Sequence, residues 1–198
     1  MNATDIPFQP LPEIPETEWP QTIEKTSLNS VLLIKRPVFP DPRGDFHESF
    51  RKSDIVKVLG FWPDFCQGNE SRNTTAKVLR GLHIAPWYKM VYRSAGEALV
   101  IIVDCRRNSP TFGQSFTQKL NPENRFTILI PPGCAHGYLT LTDNTNYSYL
   151  ASEEWSKDRE VGVAYNDPEL KINYPIEGPF LVSDKDAANS SFKEVFKL

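Results

Sequence analysis

Tyr138-Leu139-Thr140-Leu141-Thr142 alternates apolar and polar residues without a break, which puts Leu139 and Leu141 on one face of an extended strand. Just upstream, Phe126-Thr127-Ile128-Leu129-Ile130 alternates in the same way and stops at the turn signal Pro131-Pro132-Gly133. Just downstream, Tyr147, Tyr149 and Ala151 share one face of the next strand. Further back, Ala98-Leu99-Val100-Ile101-Ile102-Val103 is a continuous apolar run of strand length, ended by Asp104. Short strands separated by turn residues, with no long helical period between residues 65 and 175, predict an antiparallel sandwich or barrel.

Outside this block the pattern is different. Residues 1–28 form a proline-rich arm in which Pro7, Pro10, Pro12, Pro15 and Pro20 break any regular period, with Phe8 and Trp19 available to pin it to a surface. A first strand is expected at Val31–Ile34, followed by a turn-rich loop from Phe39 to Phe46 and a short strand from His47 to Phe50. Ser53–Gly60 predicts a short helix, with Ser53 as N-cap and Gly60 as the stop. The barrel domain is placed at 29–187 and a tail at 188–198, where Ser191–Phe196 predicts a last helical turn.

Bulk properties exclude several classes. The 198 residues carry a formal net charge of −3, and no Lys/Arg run is present, which argues against a nucleic-acid partner. The longest apolar run falls far short of the roughly 18 residues that a membrane span needs. The first residues, Met1 to Asp5, have neither a basic region nor an apolar stretch, so a cytoplasmic protein is expected. Without an export signal, Arg43-Gly44-Asp45 carries no adhesion message. Cys66, Cys105 and Cys134 are odd in number and widely spaced, which suits free thiols rather than a disulfide framework or a metal site.

Reactive side chains gather around Leu79-Arg80-Gly81-Leu82-His83 and Lys89. No glycine-rich phosphate loop and no Gly-x-Ser-x-Gly elbow is present. The three histidines, His47, His83 and His136, share no short metal-binding motif. Metal-free acid/base chemistry remains, with a histidine as base, a carboxylate to orient it, a tyrosine as acid and a lysine to meet developing enolate charge.

The order of several short pieces carries a resemblance. They are Phe39 with Asp41-Pro42-Arg43-Gly44-Asp45-Phe46-His47-Glu48-Ser49-Phe50; Gln67-Gly68-Asn69-Glu70-Ser71; Leu79-Arg80-Gly81-Leu82-His83; Lys89-Met90-Val91; Ile130-Pro131-Pro132-Gly133-Cys134-Ala135-His136-Gly137-Tyr138; Tyr149; and Asn166-Asp167-Pro168. Together these resemble the dTDP-4-dehydrorhamnose 3,5-epimerase family from about residue 29 to 187. The resemblance implies a cupin-type antiparallel jelly roll with short peripheral helices. It implies inversion at C3, C5 or both of a nucleotide-linked 4-keto-sugar, without a metal or redox cofactor.

It also implies roles. His83 matches the base, Asp167 its orienting carboxylate, Tyr149 the opposing acid and Lys89 the cation beside the C4 oxygen. Arg43, Glu48, Gln67, Asn69, Arg80 and His136 match positions that hold sugar and diphosphate, with Phe39 and Trp155 as aromatics near the base or sugar. A homodimer with exchanged N-terminal strands is expected, so that Phe39 to Phe50 serves the partner's site. The chain departs from the family pattern in Ile84-Ala85 after His83, in a short link through Pro86-Trp87-Tyr88, and in Asn73 where a serine is usual. These departures leave open a dTDP- or a GDP-linked substrate, and a hexose or a heptose. A non-catalytic sugar-nucleotide-binding barrel and a 3,4-ketoisomerase are the competing functions.

Overall fold

A computed structural model describes residues 3–198; Met1 and Asn2, part of the segment read for an export signal, lie outside the described residues. In chain order the strands and helices are β1 (Ile23–Lys25), β2 (Leu32–Ile34), β3 (Val38–Asp41), β4 (Gly44–His47), α1 (Lys52–Leu59), β5 (Gln67–Asn73), β6 (Leu79–Ile84), β7 (Lys89–Ala95) and β8 (Ala98–Asp104). They continue as β9 (Ser115–Leu120), β10 (Thr127–Ile130), β11 (Cys134–Thr140), β12 (Thr145–Ala151), β13 (Val161–Gly162), α2 (Asp184–Ala187) and α3 (Phe192–Phe196). Two antiparallel sheets face each other, one ordered β1-β2-β10-β7-β12-β5 and the other β13-β6-β11-β8-β9. This is the antiparallel all-β architecture expected from the strand pattern, in the jelly-roll form that the resemblance implies.

The run Ala98–Val103 is apolar throughout because β8 is covered on both faces. Ala98, Val100 and Ile102 point between the sheets, against Val91, Ile128, Ile130, Tyr138 and Tyr147. Leu99, Ile101 and Val103 point outward beneath Leu139, Leu170, Phe192 and Phe196. A strand buried on both sides has no reason to alternate. The outer face of the other sheet is covered too: Leu32, Ile34, Met90 and Leu129 lie beneath Trp19 and the α1 residues Ile55 and Val58.

The structure differs from expectation at four places. The proline-rich arm is pinned by a buried Trp19 as its sequence allowed, but it also supplies a strand, β1, which pairs with β2. The helix starts at Lys52 with Arg51 in the N-cap position, so Ser53 falls inside it; Gly60 ends it in the left-handed conformation, as expected. The stretch from Phe39 to Phe46 is a hairpin rather than a loop, with β3 and β4 paired Phe39 to Phe46 around Pro42-Arg43. It forms a small sheet of its own, and the strand expected at His47–Phe50 shrinks to the end of β4.

Gly81 explains how β6 lies against β11. The pairing of the two strands shifts register between His136 and Tyr138. A Cβ at Gly81, whose φ is +110°, would stand 2.8 Å from the Gly137 Cα and from the His136 carbonyl oxygen. Only glycine fits this approach, and it leaves His83 directly across from His136.

Candidate active site

The two sheets converge on a cleft lined by Ser71, Arg80, His83, Lys89, His136, Tyr138, Tyr149, Trp155, Glu160 and Lys185. β6 supplies Arg80 and His83, and β11 supplies His136 and Tyr138; the opposite sheet supplies Lys89 from β7 and Tyr149 from β12. His83 and Tyr149 therefore approach the same space from different sheets.

His83 is held by Asp186, not Asp167. Its Nε2 lies 2.7 Å from Asp186 Oδ1, while the second carboxylate oxygen accepts the Gly81 backbone N–H at 3.0 Å. Burial works to raise the Asp186 carboxyl, but the hydrogen bonds from His83 and Gly81 outweigh it and hold the group below its ordinary value. A carboxylate accepts only, so it draws a proton onto Nε2 and leaves the other ring nitrogen free to act as a base. Asp167 caps the short 3-10 turn Pro168–Leu170, accepting the Glu169 N–H at 2.9 Å and the Phe192 N–H at 2.6 Å. Asn166-Asp167-Pro168 has the composition of a turn initiator, and that is its role.

Lys89 is buried, with Nζ 3.6 Å from Glu160 Oε1. Burial pushes its ammonium below the ordinary lysine value, and Glu160 works against that shift. Trp87 is buried beside it, 6.0 Å from Nζ to the ring centroid. Tyr149 is partly buried, and burial with the charge of Glu160 raises its phenol above the ordinary value. It thus keeps its proton at neutral pH. His136 is buried and held well below an ordinary histidine by burial and by the charges of Lys89 and His83, with its Nε2 2.9 Å from the Tyr147 hydroxyl. It presents a neutral ring to the cleft.

The remaining candidates divide by place. Trp155, 50% exposed, stands at the mouth with its indole N–H donating to Glu160 Oε2 at 3.1 Å and its backbone N–H donating to Gln67 Oε1 at 2.7 Å. Gln67 Nε2 donates to Asn69 Oδ1 at 2.7 Å, and Asn69, paired with Tyr149 in the sheet, keeps a buried Nδ2 without a hydrogen-bond partner. Phe39, Arg43 and Glu48 do not line this cleft. Phe39 is exposed on the hairpin, Arg43 pairs with Asp41, and Glu48 pairs with Arg36 and Arg51. Cys105 and Cys134 are buried free thiols away from the cleft, and burial raises both.

The charged residues of the site that escaped the sequence reading are Asp186, Lys185 and Glu160. Asp186 and Lys185 lie in Ser183-Asp184-Lys185-Asp186, whose visible signal is that of a helix N-cap, with Ser183 Oγ accepting the Asp186 N–H. Glu160 ends a mixed-charge run, Lys157-Asp158-Arg159-Glu160, that reads as a solvated face. Only the return of β13 alongside β6 brings that run over the cleft.

Comparison with known proteins gives this arrangement its class. Residues 25–194 match the sequence family described as dTDP-4-dehydrorhamnose 3,5-epimerase. The enzyme of that name from Pseudomonas aeruginosa is 36% identical over 173 residues, covering 86% of this chain and 95% of its own length. That from Mycobacterium tuberculosis is 38% identical, covering 82% of this chain and 83% of its own. Among solved structures, the Legionella pneumophila 3,5-epimerase in complex with dTDP-4-keto-L-rhamnose superposes with TM-score 0.81 at 34% identity, covering 86% of this chain and 92% of that one. A 3'-monoepimerase from Streptomyces bikiniensis in complex with dTDP-quinovose superposes with TM-score 0.83 at 27% identity, covering 88% and 91%. The chain is thus of the sugar-nucleotide epimerase class. It belongs to the dTDP-4-dehydrorhamnose 3,5-epimerase family.

Proposed function

We propose that the chain inverts C3, C5 or both of a nucleotide-diphosphate-linked 4-keto-sugar, with His83 as base and Tyr149 as acid. The observation that carries this reading is the placement of those two groups on opposite sheets of one cleft, with Lys89 on the same sheet as Tyr149. A proton next to a ketone is weakly acidic, so the base needs help as enolate charge develops on the C4 oxygen. Lys89, buried and countered among the described residues by Glu160 at 3.6 Å, supplies a cation there. His83 removes the proton from one face, and Tyr149 returns one from the other. Each inversion leaves His83 protonated and Tyr149 a phenolate, and exchange with solvent restores both.

Arg80 and Lys185 offer positive charge for the diphosphate, and Trp155 at the mouth offers a flat ring for a base to stack on. Phe39, Arg43 and Glu48 are assigned to a second copy's cleft in a homodimer. The support is the hairpin itself, a sheet separate from its own barrel with Phe39 and Phe46 exposed at 55% and 66%.

A panel of dTDP- and GDP-linked 4-keto-sugars in deuterium oxide tests the reading. Label should enter at C3 or C5, and the C4 carbonyl should survive. Loss of that carbonyl would make the chain a ketoisomerase. Binding without label uptake would make it a non-catalytic barrel.

A further inference from the structure

Arg80 lies on the rim of the cleft with no carboxylate paired to it among the described residues; its side chain is held instead by a neutral amide. That amide belongs to Asn73, at the end of β5 in the opposite sheet and only 3% exposed. Asn73 Nδ2 donates to the Ser71 carbonyl at 3.1 Å and to the Thr145 carbonyl at 3.0 Å. Carbonyl oxygens cannot donate, so these two contacts fix which end of the amide is which. Asn73 Oδ1 must then face the other way, where it accepts the Arg80 Nε–H at 3.1 Å. The Tyr138 hydroxyl stands beside the same amide, at 3.3 Å from Nδ2 and 3.4 Å from Oδ1. Tyr138 in turn stacks on Tyr147 with ring centroids 3.9 Å apart, so the support is rigid.

We infer that Asn73 is a positioning residue that aims Arg80 at the diphosphate of the substrate. Its carbonyl oxygen takes the Nε edge of the guanidinium, which leaves the two terminal nitrogens as the edge turned to a ligand. A planar fork held in one orientation can bind two phosphate oxygens at once, which a freely rotating one does less well. The holding group is neutral, so Arg80 keeps its whole charge for the ligand. An aspartate at 73 would hold the same edge while cancelling part of that charge. This inference rests on the reading of the cleft as a sugar-nucleotide site and adds the residue that orients its phosphate contact.

Calorimetric titration with dTDP and with GDP tests both levels. Asn73→Ser, whose hydroxyl is too short to span to Nε, should weaken binding of the diphosphate about tenfold, the scale of a lost hydrogen bond to a charged group. The same change made in an Arg80→Ala background should alter binding less than about twofold, because the residue it serves is gone. Arg80→Lys keeps the charge but has no Nε edge, and its exposed position tolerates the change; it too should lose about tenfold. With the 4-keto substrate the loss should fall on KM rather than kcat. Equal losses from Asn73→Ser with and without Arg80, or wild-type affinity in Arg80→Lys, would overturn the positioning role while leaving the site reading intact. If the wild-type chain binds neither dTDP nor GDP, the site reading fails and the inference goes with it.

Discussion

His83 takes its chemistry from the carboxylate behind it. Asp186 spends one oxygen on the ring and the other on the Gly81 N–H, so it is fixed at both ends and cannot swing away from the imidazole. Asp186→Asn should therefore lower kcat by about 10²-fold or more with little change in KM, on the scale of an acid/base contribution. Asp167→Asn should leave the kinetics within about twofold and instead cost about 1 kcal/mol of stability, read by urea unfolding, because an amide keeps one acceptor and turns a donor on the second of the two backbone N–H groups. The two mutants together separate the positions that the sequence alone confused.

Lys89 sets the alkaline limit of the same reaction. Burial lowers its value in the folded protein, so it is charged and active below that point and loses its proton as pH rises through it, earlier than a free lysine would. Tyr149 is shifted upward, which moves the loss of its own proton to higher pH. The falling limb of kcat against pH is assigned to Lys89, whose shift runs the other way. Glu160 raises both Lys89 and Tyr149, so Glu160→Gln should move that limb to lower pH. A limb that stays in place would assign it to another group.

Among the elements, strands were easier to read than their connections. Period-two alternation at Tyr138–Thr142 and turn residues such as Pro131-Pro132-Gly133 report local backbone preference, which a short window contains. The same is true of Ala98–Val103, although its lack of alternation comes from cover on both faces, which a window cannot see. The roles proposed for His83, Lys89 and Tyr149 came from the order of the short pieces around them, since strand period does not say which side chains meet. Asp186 and Glu160 were not legible, since each owes its place to a segment returning over the second sheet from far along the chain. The proline-rich arm was legible as irregular backbone with Trp19 as its anchor, but not as the source of strand β1. Trp19 is 8% exposed, packs over the first sheet and donates its indole N–H to the Ile14 carbonyl at 3.2 Å. Trp19→Ala should cost about 3 kcal/mol in urea unfolding, the usual scale for a buried aromatic truncated to alanine. A loss below about 1 kcal/mol would return the arm to the status of a loose appendage.

At the level of the whole molecule, the hairpin and the residue after it, Glu48, hold side chains that do not line their own cleft. If Arg43 and Glu48 serve a second copy, inactive mutants should rescue one another. Mixing an Arg43→Ala chain with a His83→Asn chain, after exchange through mild denaturant, should rebuild one intact cleft per mixed dimer. Activity should then rise toward about a quarter of wild type, since half the dimers are mixed and each has one good site. No gain above the two separate mutants would place Arg43 outside the partner's cleft. The outer cover of β8 has a different consequence, one of timing. The residues that close over Leu99, Ile101 and Val103, namely Leu170, Phe192 and Phe196, follow the barrel in the chain, and α2, with Asp186, lies among them. During synthesis the barrel strands leave the ribosome with an uncovered β-rich apolar face and a His83 that has no orienter. One late docking event removes the aggregation hazard and switches on the base, so premature termination ahead of α2 yields sticky, idle chains rather than weak enzymes.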